Sequence, residues 1–444
     1  MIRHRSTLPI IIVFIMMCAI VLASCGKKQV EPLQKVQVNY LGLPQDIFDI
    51  RYGNPITLGN MEIEVIAQPF VSNPDEEYAV TLARQLQQGG VDVVQTTGMA
   101  LPLLVQENLL WPIETVLDMN TDGFAESIIQ KIRNDSGDGF LYGLPTVLMS
   151  DVLYYNKELF DKHDLPVPKN GMSWSETLQL DRQLWSRMTE IGAAYSLLEA
   201  GDEPPAARLD KLISAYAKSE GIADFSNGAV TLDTTQWHTV WQNIINAYVS
   251  YDHANQSENA QTPYGNRELS FTNQSSALMI GGSYYWHNWM SSGLPDFEWG
   301  LATTPGTYNI YYQYELLAIS NDSGRKDAAW RLIEYLTSEE TTDRLLTETD
   351  DSHSFRGYTG RFPARIAQME EKLEVDLSAL YVQAPASDGL YVRTSNPAMS
   401  LEFHDNYRAL RITHIEEVLN GSMTVQDALA SLQQETAILV SEWE

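Results

Sequence analysis

At 444 residues the chain is too long for one ordinary core and points to two or three domains or lobes. Hydrophobic residues at 44 % and charged residues at 20 %, with no low-complexity tract, describe folded domains and exclude a disordered chain. The 58 acidic side chains against 29 Lys and Arg give a net charge of −29, which repels phosphate backbones and anionic lipid, so the expectation is no nucleic-acid partner and a neutral or cationic ligand.

At the N-terminus, Arg3, His4 and Arg5 precede an apolar run from Leu8 to Leu22, which Ala23-Ser24-Cys25 closes. The run is shorter than the roughly 20 apolar residues a spanning helix needs, and its flanks are those of a secretory signal. The tetrapeptide LASC (22–25) resembles the lipobox of bacterial lipoproteins, which implies a lipid on Cys25 and cleavage before it. A plain signal peptide cut near Ser24, or a signal anchor, is the competing reading. Cys18 lies inside the run, so Cys25 would be the sole cysteine of the mature chain and no intramolecular disulfide could form. Removal of residues 1–24 takes Arg3 and Arg5 and no acid, leaving 27 basic against 58 acidic side chains, or −31.

Residues 25–35 read as a short polar tether, lipidated at its first residue. VQVNYLG (36–42) and MEIEVIAQ (61–68) have strand content, with β-branched and apolar residues partly alternating. Tyr78, Leu82 and Leu86 share one face of a helix over 76–88, which Gly89-Gly90 ends before the strand VDVVQ (91–95). This strand, helix, strand order implies α/β units with a mostly parallel sheet. Further on, Leu209, Leu212, Ile213 and Tyr216 make a helical stripe introduced by Glu203-Pro204-Pro205. Trp237, Val240, Trp241, Ile244, Ile245 and Tyr248 make another. Ser173 with Glu176, and Thr424 with Asp427, have capping-box spacing.

Catalytic signatures are sparse. With this many carboxylates, pairs at acid/base spacing arise by chance and identify no glycosidase. The eight histidines are scattered, and no H-E-x-x-H, C-x-x-C, EF-hand loop, P-loop or G-x-S-x-G elbow occurs. The expectation is a protein without cofactor or metal and not an enzyme. His287, among aromatics, reads as a packing residue.

One segment is informative: LYGLPTVLMSDVLYYNKELFDKHDLPVPKNGMSWSE (141–176). Tyr142, Gly143 and Pro145, then Leu153 to Lys157 and Phe160, then Trp174 and Glu176 with Ser173 where Thr is usual, resemble the hinge-crossing region of extracellular solute-binding proteins of ABC importers. That group includes the maltose-binding proteins. Residues 91–117, 269–282, 297–306, 316–338 and 421–435 resemble further segments of the family in its order, and the likeness is weakest over 43–60, 189–228 and 342–400. The resemblance implies an α/β fold of two periplasmic-binding-protein-like lobes joined by a hinge, with an interlobe ligand cleft. The expected organisation is residues 36–148 in lobe 1, 149–311 in lobe 2 with a helical elaboration near 199–224, 312–365 returning to lobe 1, and 366–444 a helical segment packing across both. The function it implies is a lipid-anchored receptor on the extracellular face of the membrane, monomeric, that captures a saccharide by closure and delivers it to an ABC permease. A receptor for a membrane sensor kinase and a lipid-anchored carbohydrate-active enzyme are the alternatives.

The stretch SALMIGGSYYWHNW (276–289) holds four Tyr and Trp rings within six positions. Aromatic rings suit sugars, whose C–H face is apolar and whose hydroxyls need partners at the rim. The resemblance places Tyr284 and Trp286 in the cleft, with Tyr285 and Trp289 expected in packing. It also offers Asp151 as an acceptor for sugar hydroxyls, against a solvated Asp at a strand end or a cap. Tyr312 and Gln313 precede the second crossing strand, and Thr97 and Met99 follow VDVVQ, where ordinary loop packing is the competing reading. Where the maltose-binding group has Trp and Asp in that loop, this chain has Thr96 and Met99, so maltose itself is not carried over.

Overall fold

This computed structural model describes residues 32–443 apart from 74–75, 116–118, 120, 190–195, 199–202, 227–228, 252–266, 287–288, 290–292, 294, 348–361, 374–375 and 387–400. The signal-like segment and Cys25, and His287, lie outside the described residues.

Strands β1 (Gln34–Gly42), β2 (Ile56–Leu58), β3 (Met61–Pro69), β4 (Val93–Thr97) and β5 (Leu110–Trp111) precede β6 (Gly143–Asn156), which is 14 residues long. A small hairpin of β7 (Phe225–Ser226) and β8 (Ala229–Val230) follows. Then β9 (Leu278–Gly282), β10 (Trp299–Thr303), β11 (Tyr311–Ser320) and β12 (Phe362–Pro363) rejoin the main sheet. The main path runs β10-β6-β11-β4-β1-β3-β2, with β5 on β11 and both β9 and β12 on β6.

β1 lies parallel to β3 and to β4, and the helix Tyr78–Gln87 makes the crossover between those two neighbours. Beyond this trio the mostly parallel sheet expected from sequence is corrected. β11 is antiparallel to both β4 and β6, and β9, β10 and β12 are antiparallel to β6. The reason is topological. β6 carries the chain out of the first sheet and β11 carries it back, so the two must run in opposite senses where they meet.

β6 is the hub. Through Ser150 it pairs with β11, from Asp151 with β9, and from Val152 with β10, so one strand belongs to two sheets. Nearly every residue of it is buried, as a strand covered on both faces requires. Beyond the changeover, Leu153 and Tyr155 enter a core with Trp174, Leu212, Trp241 and Ile244, while Val152 and Tyr154 face Phe271, Trp286 and Trp289. That aromatic group is continuous with the first core, which is built around Val38, Ile63, Val94, Leu316 and Ile333 of the first lobe. Residues 366–380 contribute to that first core and residues 403–432 to the second.

Local chemistry explains the helices. Ser173 N–H donates to Glu176 Oε2 at 2.8 Å and Glu176 N–H to Ser173 Oγ at 3.2 Å, a reciprocal capping box opening the helix Trp174–Thr189. Asp427 N–H donates to Thr424 Oγ1 at 3.1 Å at the start of Val425–Trp443. In Thr235–Val249 the stripe Trp237, Val240, Trp241, Ile244 and Ile245 is buried as its spacing requires. The helix Pro205–Ser219 packs between Thr235–Val249 and Leu401–Leu419. Arg411 fixes that last contact: its Nε donates to Asp210 Oδ1 at 2.7 Å and its Nη1 to Asp224 Oδ2 at 3.5 Å. Burial pushes the Asp224 carboxyl above the usual range, against the lowering effect of Arg411 and of the Tyr407 hydroxyl. Removing the cation would leave buried Asp224 without its ion partner and Asp210 with Arg408 alone, at 3.4 Å. Arg411→Met is therefore expected to cost about 3–5 kcal/mol, read as a lower urea midpoint with unchanged slope.

Candidate functional site

Three chain segments meet where β6 changes sheets. Asp151 N–H donates to Ile310 O at 3.0 Å, joining β6 to the segment entering β11. Asn309 N–H donates to Ala384 O at 2.7 Å, Ala386 N–H to Asn309 O at 2.8 Å, and Asn309 Nδ2 to Leu380 O at 2.6 Å, which brings in the segment 380–386. Ser127, on the helix Glu126–Ser136, closes the junction: its Oγ donates to Tyr381 O at 2.7 Å and lies 2.6 Å from the Tyr311 hydroxyl. Burial pushes the Tyr311 phenol up to about 12, so it stays protonated and supplies the other hydrogen bond to Ser127.

Around this seam the expected site residues fall into two sets. Asp151, partly buried, is in register with Gly282 at the end of β9, and Tyr284 stands two residues further on. Tyr284 is partly buried, with its ring 4.3 Å from that of Tyr285 and tilted by 38°. Thr97 ends β4 opposite Glu315 of β11, and Gln313 of β11 is opposite Met149 of β6. The pairing is irregular between Tyr311 and Gln313, where Tyr312 lies. Met99, 60 % exposed, follows the end of β4. The stretch of β11 from Gln313 to Glu315 thus spans from Met149, two residues before Asp151 on β6, to Thr97 on β4. It runs past the carboxyl end of β4, where open α/β sheets hold their ligands.

Trp286 is set differently. It is 6 % exposed, edge-on to Trp299 at 4.9 Å and to Phe362 of β12 at 6.1 Å. Its indole N–H has no acceptor among the described residues. Trp289 stacks on Phe271 at 5.7 Å and donates its indole N–H to Glu268 at 2.7 Å. Gly281 belongs to this layer as well, because a Cβ there would come within 2.6 Å of the Tyr285 ring. The bare glycine is what lets that ring lie flat on β9.

Sequence reasoning missed a polar cavity of about 300 Å³ within the first lobe. Its floor is Gln95 of β4, Pro145–Val147 of β6 and Glu315 of β11, and its walls include Arg51, Tyr52, Thr342 and Arg365. Gln95 is held in one orientation: its Oε1 accepts from Tyr40 Oη at 2.6 Å and its Nε2 donates to Glu315 Oε2 at 2.7 Å. The available signal was a polar side chain beside an apolar run in each of two strands, Gln95 after Val93-Val94 and Glu315 before Leu316-Leu317. Among the described residues no cluster of three or more His, Cys, Asp or Glu could hold a metal, and no helix is long and apolar enough to cross a membrane.

The family model of bacterial extracellular solute-binding proteins matches residues 58–352. The chain belongs to that family. Known structures with the same architecture include the sugar-binding protein MalE of Xanthomonas citri, at 17 % identity and a TM-score of 0.62, covering 92 % of this chain and 98 % of that one. A sugar transporter protein from Rhizobium etli in an open conformation matches at 16 % identity and 0.60, covering 90 % and 99 %. The maltose-binding periplasmic protein MalE of Listeria monocytogenes, in complex with maltose, matches at 15 % and 0.55, covering 93 % and 99 %. No curated protein sequence matches. At such identities the likeness establishes the two-lobed α/β fold, and the family establishes a bacterial extracellular solute-binding protein.

In this solute-binding protein the hinge tyrosine offers a handle on the junction. Tyr311 is pushed from about 10 up to about 12, so its contribution to stability is complete below pH 10 and lost as pH rises through 12. A shift of that size corresponds to roughly 2–3 kcal/mol lost over that interval. Tyr311→Phe is expected to be about 1 kcal/mol less stable at neutral pH, having lost the Ser127 bond. It should also lose less stability than the parent between pH 10 and 12, which urea midpoints across that range would measure.

Proposed function

We propose that the protein captures a saccharide, an oligosaccharide or a substituted sugar, between its two lobes and hands the closed form to an ABC permease. The observation that supports this reading is that Asp151 of β6 is in register with Gly282 of β9, two residues before the partly buried Tyr284. Asp151 and the partly exposed ring of Tyr284 come from the β6–β9 side, and Thr97 and Met99 from the end of β4. Tyr284 supplies a face on which the apolar C–H side of a pyranose stacks, and Asp151 an acceptor for hydroxyls at its rim. Trp286, walled in by Trp299 and Phe362, positions that turn from behind.

A ligand that touches both lobes binds their closed arrangement better than the open one, and that difference in affinity sets the population shift. The net charge of −29 favours a neutral guest. Support for sugar comes also from the relatives named above, and support for anchoring through a lipid on Cys25 from the LASC sequence at the end of the apolar run. Delivery to a permease and a single-chain state follow from the same family reading.

The test is titration of the chain from Gly26 onward with neutral oligosaccharides, read by tryptophan fluorescence and calorimetry. One saccharide class should bind at one equivalent per chain, with no product after prolonged incubation. Tyr284→Ala should weaken it by roughly 10–100-fold, as loss of one stacking ring requires. Silence across all sugars, or steady release of reducing ends, overturns the proposal.

A further inference from the structure

The outer edge of β3 is covered by a neighbouring strand only in part. β2 is three residues long and pairs with Met61, Glu62 and Ile63, so from Glu64 to Pro69 no strand lies on that side among the described residues. A bare strand edge presents a row of N–H and C=O groups on which another chain can pair. Here side-chain amides occupy the row. Val65 N–H donates to Asn54 Oδ1 at 3.0 Å and Val65 O accepts from Asn54 Nδ2 at 3.0 Å, so one amide makes both of the bonds that a partner strand would make. Two residues on, Ala67 N–H donates to Gln45 Oε1 at 2.7 Å, and Gln45 Nε2 donates to Val65 O at 3.1 Å. By the two-residue repeat of a strand the next outward position is Pro69, which has no N–H.

Both amides come from the segment between β1 and β2. Gln45 opens the helix Gln45–Tyr52, and its Nε2 also donates to Asp49 Oδ1 at 2.7 Å one turn further on, which fixes the plane of the amide. Phe48 anchors that helix, with its ring 5.1 Å from Tyr40 and 5.1 Å from Tyr52, while Ile47 and Ile50 are exposed. Asn54 follows Gly53 at the end of the same helix and borders an open hollow of about 490 Å³ with Pro55, Glu62 and Glu64, so its outer side is within reach of a second chain. The edge behind the amides is self-complementary. Two β3 edges laid antiparallel across a two-fold axis match the donors and acceptors of Val65 and Ala67 in one copy with those of the other. The exposed isoleucines beside the edge favour being covered in the same contact.

We propose that Gln45 and Asn54 are a built-in block on strand pairing: by occupying the edge of β3 they keep two copies of this chain from joining their first-lobe sheets. This role is independent of what the junction binds, since neither side chain belongs to it.

The experiment is sedimentation velocity on the chain from Gly26 onward and on its Gln45→Ala, Asn54→Ala and doubly substituted variants, in about 0.5 M salt so that repulsion between acidic surfaces is screened. The parent should remain monomeric at about 100 µM, while the double variant should associate with a midpoint at or below that concentration and each single variant less tightly. Hydrogen exchange at the Val65 and Ala67 amides should be roughly ten-fold or more faster in the dilute double variant than in the parent, and should slow again as it associates. Ala67→Pro added to the double variant should restore the monomer. The Ala67 N–H is directed at Gln45 and not at β1, so proline there removes the edge donor without cutting the ladder. Association through partial unfolding would not be reversed in this way. Should the double variant fail to fold, Gln45→Ala, which leaves Asn54 in place, carries the test by the same readings. A variant that stays monomeric at every concentration overturns the proposal. So does equal association of the parent, or association that Ala67→Pro leaves unchanged.

Discussion

The fold depends on one strand being shared by two sheets. Backbone donors and acceptors buried inside a protein must be paired, and along β6 the pairing is handed from β11 to β9 and β10 between Ser150 and Val152. At that point each lobe ends as a hydrogen-bonded unit and the next begins. Rotation of one lobe against the other has to be absorbed there and in the two segments beside it, 309–311 and 380–386. Ser127 ties both neighbours to the first lobe, through the Tyr311 hydroxyl and the Tyr381 carbonyl.

The aromatic layer on one face of β6 gives the second lobe its rigidity next to the seam. Trp289 is edge-on to Tyr154 at 5.2 Å, stacked on Phe271 at 5.7 Å and edge-on to Trp299 at 5.2 Å, the arrangement ring quadrupoles favour. Trp286 extends the layer to Phe362, which pairs with the first-lobe half of β6. In the turn that follows β9, Trp286 and Trp289 are buried while Tyr284 and Tyr285 are only partly so. The four aromatics thus divide between support and surface.

Charge is distributed by the same logic. The acidic excess lies on the surface, where solvent screens it, and the few ions taken inside come with partners. Arg411 is placed against Asp210 and Asp224, Lys131 lies 2.6 Å from Asp135, and Asp92 accepts from both Ser323 and Arg325.

The sequence by itself determined what depends on near neighbours along the chain. The stripe of Thr235–Val249, the caps at Ser173 and Thr424, the crossover from β3 to β4 and the family-like run from Tyr142 to Glu176 were legible because periodicity, capping and turn chemistry are local. Only the tertiary structure decided what depends on residues distant in sequence. The antiparallel return of β11 follows from two strands crossing between lobes. The enclosure of Trp286 depends on Phe362, and the partnership of Tyr40, Gln95 and Glu315 joins positions more than 200 residues apart in the case of Gln95 and Glu315. No spacing rule reaches that far: such contacts exist only once sheet register has brought the strands side by side.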